Sequence, residues 1–187
     1  MRTRVRHAHT TRFGIPAIAA VAMAGLALSL LTAPVAQAQT VVVISSDFED
    51  GTTQGWAPRA GETVTVTAAA ARSGEFGLSV TDRTQTWEGP TRDLLGVAEA
   101  GVGYDFSVWV RLAAGEAATQ LRMSVERQWQ GEASFETVVG DTTVTDGDWV
   151  RLAGSYTLAH QVDFFTVYVE SASSASVSFH KIGRAHV

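Results

Sequence analysis

The chain has 187 residues, with 14 Lys and Arg against 19 Asp and Glu, five His and no Cys. This leaves no material for disulfide support or cysteine catalysis and almost none for histidine catalysis or an ordinary zinc centre. Past the first 38 residues the chain is acidic without a basic cluster, which gives no footing for nucleic acid or an anionic membrane, and the length fits one domain of ordinary size.

In chain order, the first feature is an export signature. Arg2, Arg4, Arg6 and Arg12 form a basic start, an apolar run follows over about 15–31, and Ala36-Gln37-Ala38 is a small-x-small cleavage site. The run is short for a spanning helix, which needs about 20 apolar residues. Residues 1–38 are therefore expected to be a signal peptide, and the protein to be secreted and extracellular. Removal takes four of the 14 basic residues and none of the 19 acidic ones, so the remainder carries 10 against 19. It also takes His7 and His9 and leaves His160, His180 and His186.

Past the signal the pattern is all-β. Short runs rich in Val, Thr, Phe, Tyr and Trp alternate with Gly, Asp and Ser clusters. Strands are predicted over 41–48, 62–67, 76–81, 103–111, 119–127, 134–139, 148–157, 163–170 and 175–180. Breaks fall at Asp50-Gly51, Ser73-Gly74, Gly101-Val102-Gly103, Gln130-Gly131 and Asp146-Gly147. Only 68–72 suits a single helical turn. In 119–127, Leu121, Met123 and Val125 share one face, while Gln120, Arg122, Ser124 and Glu126 share the other. In 163–170, Phe165, Val167 and Val169 oppose Phe164, Thr166, Tyr168 and Glu170. Nine such strands at this spacing predict a jelly-roll β-sandwich of two antiparallel sheets, with no internal repeat and no linker.

Two places suggest sugar binding. Tyr168 and Glu170 set a ring beside a carboxylate, which suits the apolar C–H face and hydroxyl rim of a sugar. Trp87 lies in the polar segment Arg83-Thr84-Gln85-Thr86-Trp87-Glu88-Gly89-Pro90, where a core role explains a large ring poorly. Spacing alone leaves open a core ring for Tyr168, a solvated charge for Glu170 and a loop plug for Trp87.

Ordered segments along nearly the whole of the chain after the signal resemble carbohydrate-binding module family 22, the xylan-binding module of family 10 xylanases. They are Asp47-Phe48-Glu49-Asp50-Gly51, Gln54-Gly55-Trp56-Ala57-Pro58-Arg59, Ala71-Arg72-Ser73-Gly74, Thr81-Asp82 and the Trp87 segment. Tyr104-Asp105-Phe106-Ser107-Val108-Trp109-Val110, Gln120-Leu121-Arg122-Met123, Asp146-Gly147-Asp148-Trp149-Val150 and Tyr168-Val169-Glu170-Ser171 continue the series. The resemblance implies a sandwich with a cleft on one sheet. It assigns the cleft tryptophan to Trp87, the cleft arginine to Arg59 and the Tyr-x-Glu pair to Tyr168 and Glu170. A family tyrosine falls near Phe135, which keeps the ring and loses the hydroxyl, and the neighbouring Trp129 is a candidate for that platform. Trp56, Trp109 and Trp149 match packing positions. A structural calcium is implied too, with Glu49 and Asp50 as ligands and a further ligand, an Asp in the last strand, missing here.

The resemblance thus implies non-catalytic binding of xylan, with mixed-linkage β-glucan as a related ligand, by a monomeric domain over 39–180. That domain would be covalently linked to a xylanase catalytic domain. Residues 181–187 are identified as the translation of a short-read sequencing adapter, so the domain is read as truncated there. The last strand is expected to stop after about Phe179. Two other functions compete. A jelly-roll glycosidase would need two carboxylates about 5–9 Å apart across the cleft, and beside Glu170 only Glu88 and Glu126 offer themselves. An adhesion domain would show an apolar patch instead of a polar-rimmed groove.

Overall fold

Alternation of apolar and polar side chains builds two antiparallel sheets around one core. The structure, a computed structural model, describes residues 44–172, 178–181 and 185–186. The expected signal peptide and the start of the expected last strand, 175–177, lie outside these residues.

Twelve strands follow in chain order: β1 Ser45–Ser46, β2 Trp56–Pro58, β3 Thr63–Thr67, β4 Gly77–Thr81, β5 Pro90–Asp93, β6 Gly103–Leu112, β7 Thr119–Trp129, β8 Glu132–Val144, β9 Val150–Thr157, β10 Phe164–Ser171, β11 Phe179–Lys181 and β12 Ala185–His186. A 3-10 turn, Ala68–Ala70, follows β3 where one helical turn was expected, and the Thr67 hydroxyl caps it by accepting from the Ala69 N–H. The smaller sheet runs β2-β5-β10-β7-β8, and the larger runs β1-β12-β6-β11-β4-β3 with β9 also on β6. All pairings are antiparallel. The fold class is the expected one. Among the described residues no helix is long and apolar enough to cross a membrane.

The inner faces follow the predicted alternation. Leu121, Met123 and Val125 of β7 and Phe165, Val167 and Val169 of β10 are buried and meet Val108, Val110, Leu112, Leu152 and Phe179 of the larger sheet. Each such side chain contributes about 1.5–3 kcal/mol when fully buried.

The differences from expectation have physical reasons. Strands β2 and β5 were not predicted because each is short and carries a proline, which cannot donate to a ladder. Here Pro58 and Pro90 sit opposite each other at the end of the β2–β5 pairing, where one N–H is least needed. Strand β8 runs well past the predicted 134–139. Its Gly140-Asp141 is absorbed as an irregularity in the β7–β8 ladder between Leu121 and Ser124, and pairing resumes at Thr142. Strand β11 does not stop at Phe179: Lys181 pairs with Leu78 and Val110, and β12 pairs with β1 and β6. Backbone pairing of this kind depends little on side chains, so any extended segment can satisfy the open N–H and C=O groups of β6.

Candidate ligand-binding groove

The outer face of the smaller sheet is the floor of a groove. By register, Tyr168 of β10 sits opposite Ser124 of β7, Glu170 opposite Arg122, and Glu126 of β7 opposite Phe135 of β8. The groove has a volume of about 520 Å³ and is lined by Arg59, Trp87, Arg122, Phe135, Tyr168 and Glu170. Five of the six ligand-binding residues expected from the sequence are thus brought together, and Arg122 joins them.

Arg59 organises the site. Its guanidinium lies 3.8 Å from the centre of the Tyr168 ring, 5.4 Å from that of Trp87 and 5.5 Å from that of Phe135. One end donates to the Trp87 carbonyl at 3.0 Å and the other to Glu126 Oε2 at 2.9 Å. This cover explains why Tyr168, expected on an open face, is only 2% exposed. Burial, reinforced by the charge of Glu170, pushes the Tyr168 hydroxyl above its usual pKa. Trp87 and Phe135 remain 43% and 57% exposed, so their rings are the free apolar surface of the groove.

Glu170 Oε1 accepts from the Ser124 hydroxyl at 2.7 Å. Arg122 Nε lies 3.8 Å from that oxygen and 3.5 Å from Asp141, which the irregularity in β8 brings alongside. These distances hold charges together without a hydrogen bond. Among the described residues no donor reaches Glu170 Oε2, which is left to accept from a ligand.

The loop carrying Trp87 is held from below by buried charge. Arg83, almost wholly buried, donates from Nε to the Glu88 carbonyl at 2.8 Å and from Nη2 to the Thr86 carbonyl at 2.8 Å and the Ser171 hydroxyl at 2.9 Å. Glu88 turns back to accept from the N–H groups of Thr84 and Gln85, and the Thr84 N–H above all holds its carboxyl below the usual range. Buried Glu62 accepts from the N–H groups of Arg59 at 2.6 Å, Ala60 at 3.1 Å and Gly89 at 2.9 Å, tying the two loops that carry Arg59 and Trp87. Gly89 is required for this approach, because a Cβ there would lie 1.8 Å from the Val169 carbonyl oxygen. Sequence reading did not assign Arg83, Glu62 or Arg122 to the site. A charged residue in a Thr- and Gln-rich loop gives no sign of burial until the backbone carbonyls around it are placed.

Trp129 is elsewhere. It ends β7 beside the Gln130-Gly131 turn, whose φ values of 51° and 86° fit a two-residue hairpin. Alternation along β7 turns it to the face opposite Glu126, where it meets His160 edge-on at 6.1 Å, and Arg127 of the same face also reaches His160. It therefore does not supply the platform expected near Phe135. The two carboxylates considered as catalytic partners of Glu170 are already engaged, Glu88 by its own loop and Glu126 by Arg59 and Gln128.

Glu49 and Asp50, the residues expected to hold calcium, have partners within the chain. Glu49 directs its carboxylate at the N–H groups of Glu75 and Phe76, and Asp50 at the N–H and hydroxyl of Thr52. Among the described residues no three His, Cys, Asp or Glu side chains converge as a metal site.

The family model described as a carbohydrate binding domain matches residues 41–176. Endo-1,4-beta-xylanase C of Paenibacillus barcinonensis is 37% identical over 134 residues, covering 71% of this chain and 12% of that protein. Endo-1,4-beta-xylanase A of Thermoanaerobacterium saccharolyticum is 32% identical, covering 68% and 11%. The chain thus spans about an eighth of the length of these relatives. Among solved structures, the CBM22-1 xylan-binding domain of Xyn10C from Paenibacillus barcinonensis superposes with a TM-score of 0.75 at 34% identity, covering 79% of this chain and 94% of that one.

Proposed function

The chain belongs to the carbohydrate binding domain family, and from that membership we propose that its groove binds xylan without cleaving it. The observation that carries this is the groove itself. Exposed rings of Trp87 and Phe135 flank a floor where Glu170 keeps one oxygen for a ligand. A sugar ring stacks its C–H face on an indole, which contributes on the order of 1 kcal/mol beyond burial. A hydroxyl donating to a carboxylate contributes about 1.5–3 kcal/mol. Arg59, already tied to Glu126 and the Trp87 carbonyl, arrives fixed, so little side-chain freedom is lost on binding. Mixed-linkage β-glucan offers the same equatorial hydroxyls and is the related ligand.

Hydrolysis needs two carboxylates facing the scissile bond; among the described lining residues Glu170 is the one carboxylate. The matched relatives carry the corresponding segment as a small part of xylanases. The proposal therefore extends to a secreted, monomeric module that keeps a linked xylanase domain at plant cell-wall xylan. Affinity electrophoresis on soluble xylan tests it, together with an assay for reducing ends. Retarded migration with no reducing ends is expected. Unretarded migration, or sugar release that disappears in Glu170→Gln, would overturn it.

A further inference from the structure

Eight arginines lie between residues 44 and 172. Arg59, Arg122 and Arg127 pair with carboxylates, and Arg83 and Arg92 donate to backbone carbonyls. The other three, Arg72, Arg111 and Arg151, have no acceptor among the described residues, and all three gather on the outer face of the larger sheet, away from the groove.

Their setting is a chequer of arginine and tryptophan. Trp109 of β6 pairs in register with Arg151 of β9, and Arg111 lies two residues along β6 on the same face. The Arg111 guanidinium stands 4.9 Å from the centre of the Trp149 ring, just ahead of β9, and Arg72 reaches over from the loop before β4 to lie 3.6 Å from that of Trp109. Neighbouring strands are about 4.8 Å apart and alternate residues about 7 Å apart along a strand. Two cations held on indoles and the exposed Arg151 are therefore spread over an area of sugar-residue scale. Stacking on an indole immobilises a guanidinium while leaving its N–H edge free for a planar anion.

Hydroxyl side chains lie on the same face. Ser155 and Thr157 of β9 and Thr63 and Thr65 of β3 are exposed, and Asp105 at the far end is engaged by the Ser155 hydroxyl at 2.6 Å. Among the described residues no large apolar side chain protrudes from it to anchor a protein partner. In a chain with 19 acidic residues, a field of uncompensated arginine is a local reversal of charge. We propose that this face is a second glycan site, distinct from the groove, that takes an extended polysaccharide bearing carboxylates, a polyuronate. The carboxylates would meet Arg72, Arg111 and Arg151, and the hydroxyls would meet the Ser and Thr rows.

The test is affinity electrophoresis of the full chain on polygalacturonate and, in parallel, on neutral xylan. Retardation on polygalacturonate is expected, and it should fall as salt rises from about 20 mM to about 200 mM, because exposed charges are screened. The variant Arg72→Gln/Arg111→Gln/Arg151→Gln should lose on the order of tenfold in polygalacturonate affinity and keep its migration on xylan. Single variants, each losing a smaller factor, cover the case in which the triple variant unfolds. Absence of retardation at low salt would overturn the proposal. So would loss of polygalacturonate binding in Trp87→Ala with the arginine variants unaffected, which would place the uronate in the groove. Equal retardation by polyglutamate would also overturn it, by showing a general anion surface. The parallel run of the unaltered chain on neutral xylan reads binding in the groove separately, so failure of this proposal and failure of xylan binding are told apart.

Discussion

Trp87 and Trp129 are almost equally exposed, at 43% and 41%, yet they stand in different kinds of place. Trp87 rides on a loop fastened by Arg83, Glu88 and Glu62, all buried and all bonded to backbone. It faces Arg59 and shares a groove with Tyr168 and Glu170. Trp129 sits at a hairpin tip against His160, on the face away from the groove. Exposure of a ring does not mark a binding site. The distinction lies beneath it, where a buried polar frame fixes one ring in place and a short turn merely presents the other.

The frame can be broken directly. Arg83→Ala strips the Thr86 and Glu88 carbonyls and the Ser171 hydroxyl of a donor and leaves Glu62 and Glu88 without a nearby cation. Losing one partner in such a buried network costs about 3–5 kcal/mol. The expected result is a clear fall in melting temperature together with loss of xylan binding. A variant at Arg127, which serves the Trp129 end through Glu136 and His160, should leave xylan binding unchanged. The next effect is on the ligand contact alone. Glu170→Ala should weaken xylan binding by roughly tenfold or more, from the loss of a charged hydrogen bond, with little change in melting temperature. Titration calorimetry and a thermal melt read the two quantities separately.

The smallest expected effect is on pH. Backbone N–H groups hold the Glu88 carboxyl below its usual range, so its contribution to stability is present above the ordinary carboxylate pKa and lost as pH falls through the lowered one. Melting temperature should therefore decline on acidification through and below the ordinary carboxylate range, and less steeply in Glu88→Gln. An identical pH slope in the two proteins would mean that Glu88 does not help to hold the Trp87 loop.

Much of this was legible in the sequence. The inner faces of β7 and β10 follow period-two alternation, because burial against the other sheet enforces it. The residues assigned to Arg59, Trp87, Phe135, Tyr168 and Glu170 do meet in one groove. What could not be read is set by long-range contact. Tyr168 is covered because Arg59, more than a hundred positions away, lies on its ring. Trp129 was offered as a platform from nearness in sequence to Phe135, but the hairpin puts the two on opposite faces. Strands β2 and β5 were missed because their prolines argue against strands, and local composition does not show that the ladder ends there.

The most direct test compares the two tryptophans on one gel. Trp87→Ala and Trp129→Ala would be run beside the unaltered chain in affinity electrophoresis on soluble xylan, after a thermal melt shows that both fold. Trp87→Ala should lose most of its retardation, whereas Trp129→Ala should migrate as the unaltered chain does. Equal loss in both variants, or loss in Trp129→Ala alone, would contradict the placement of xylan in the groove.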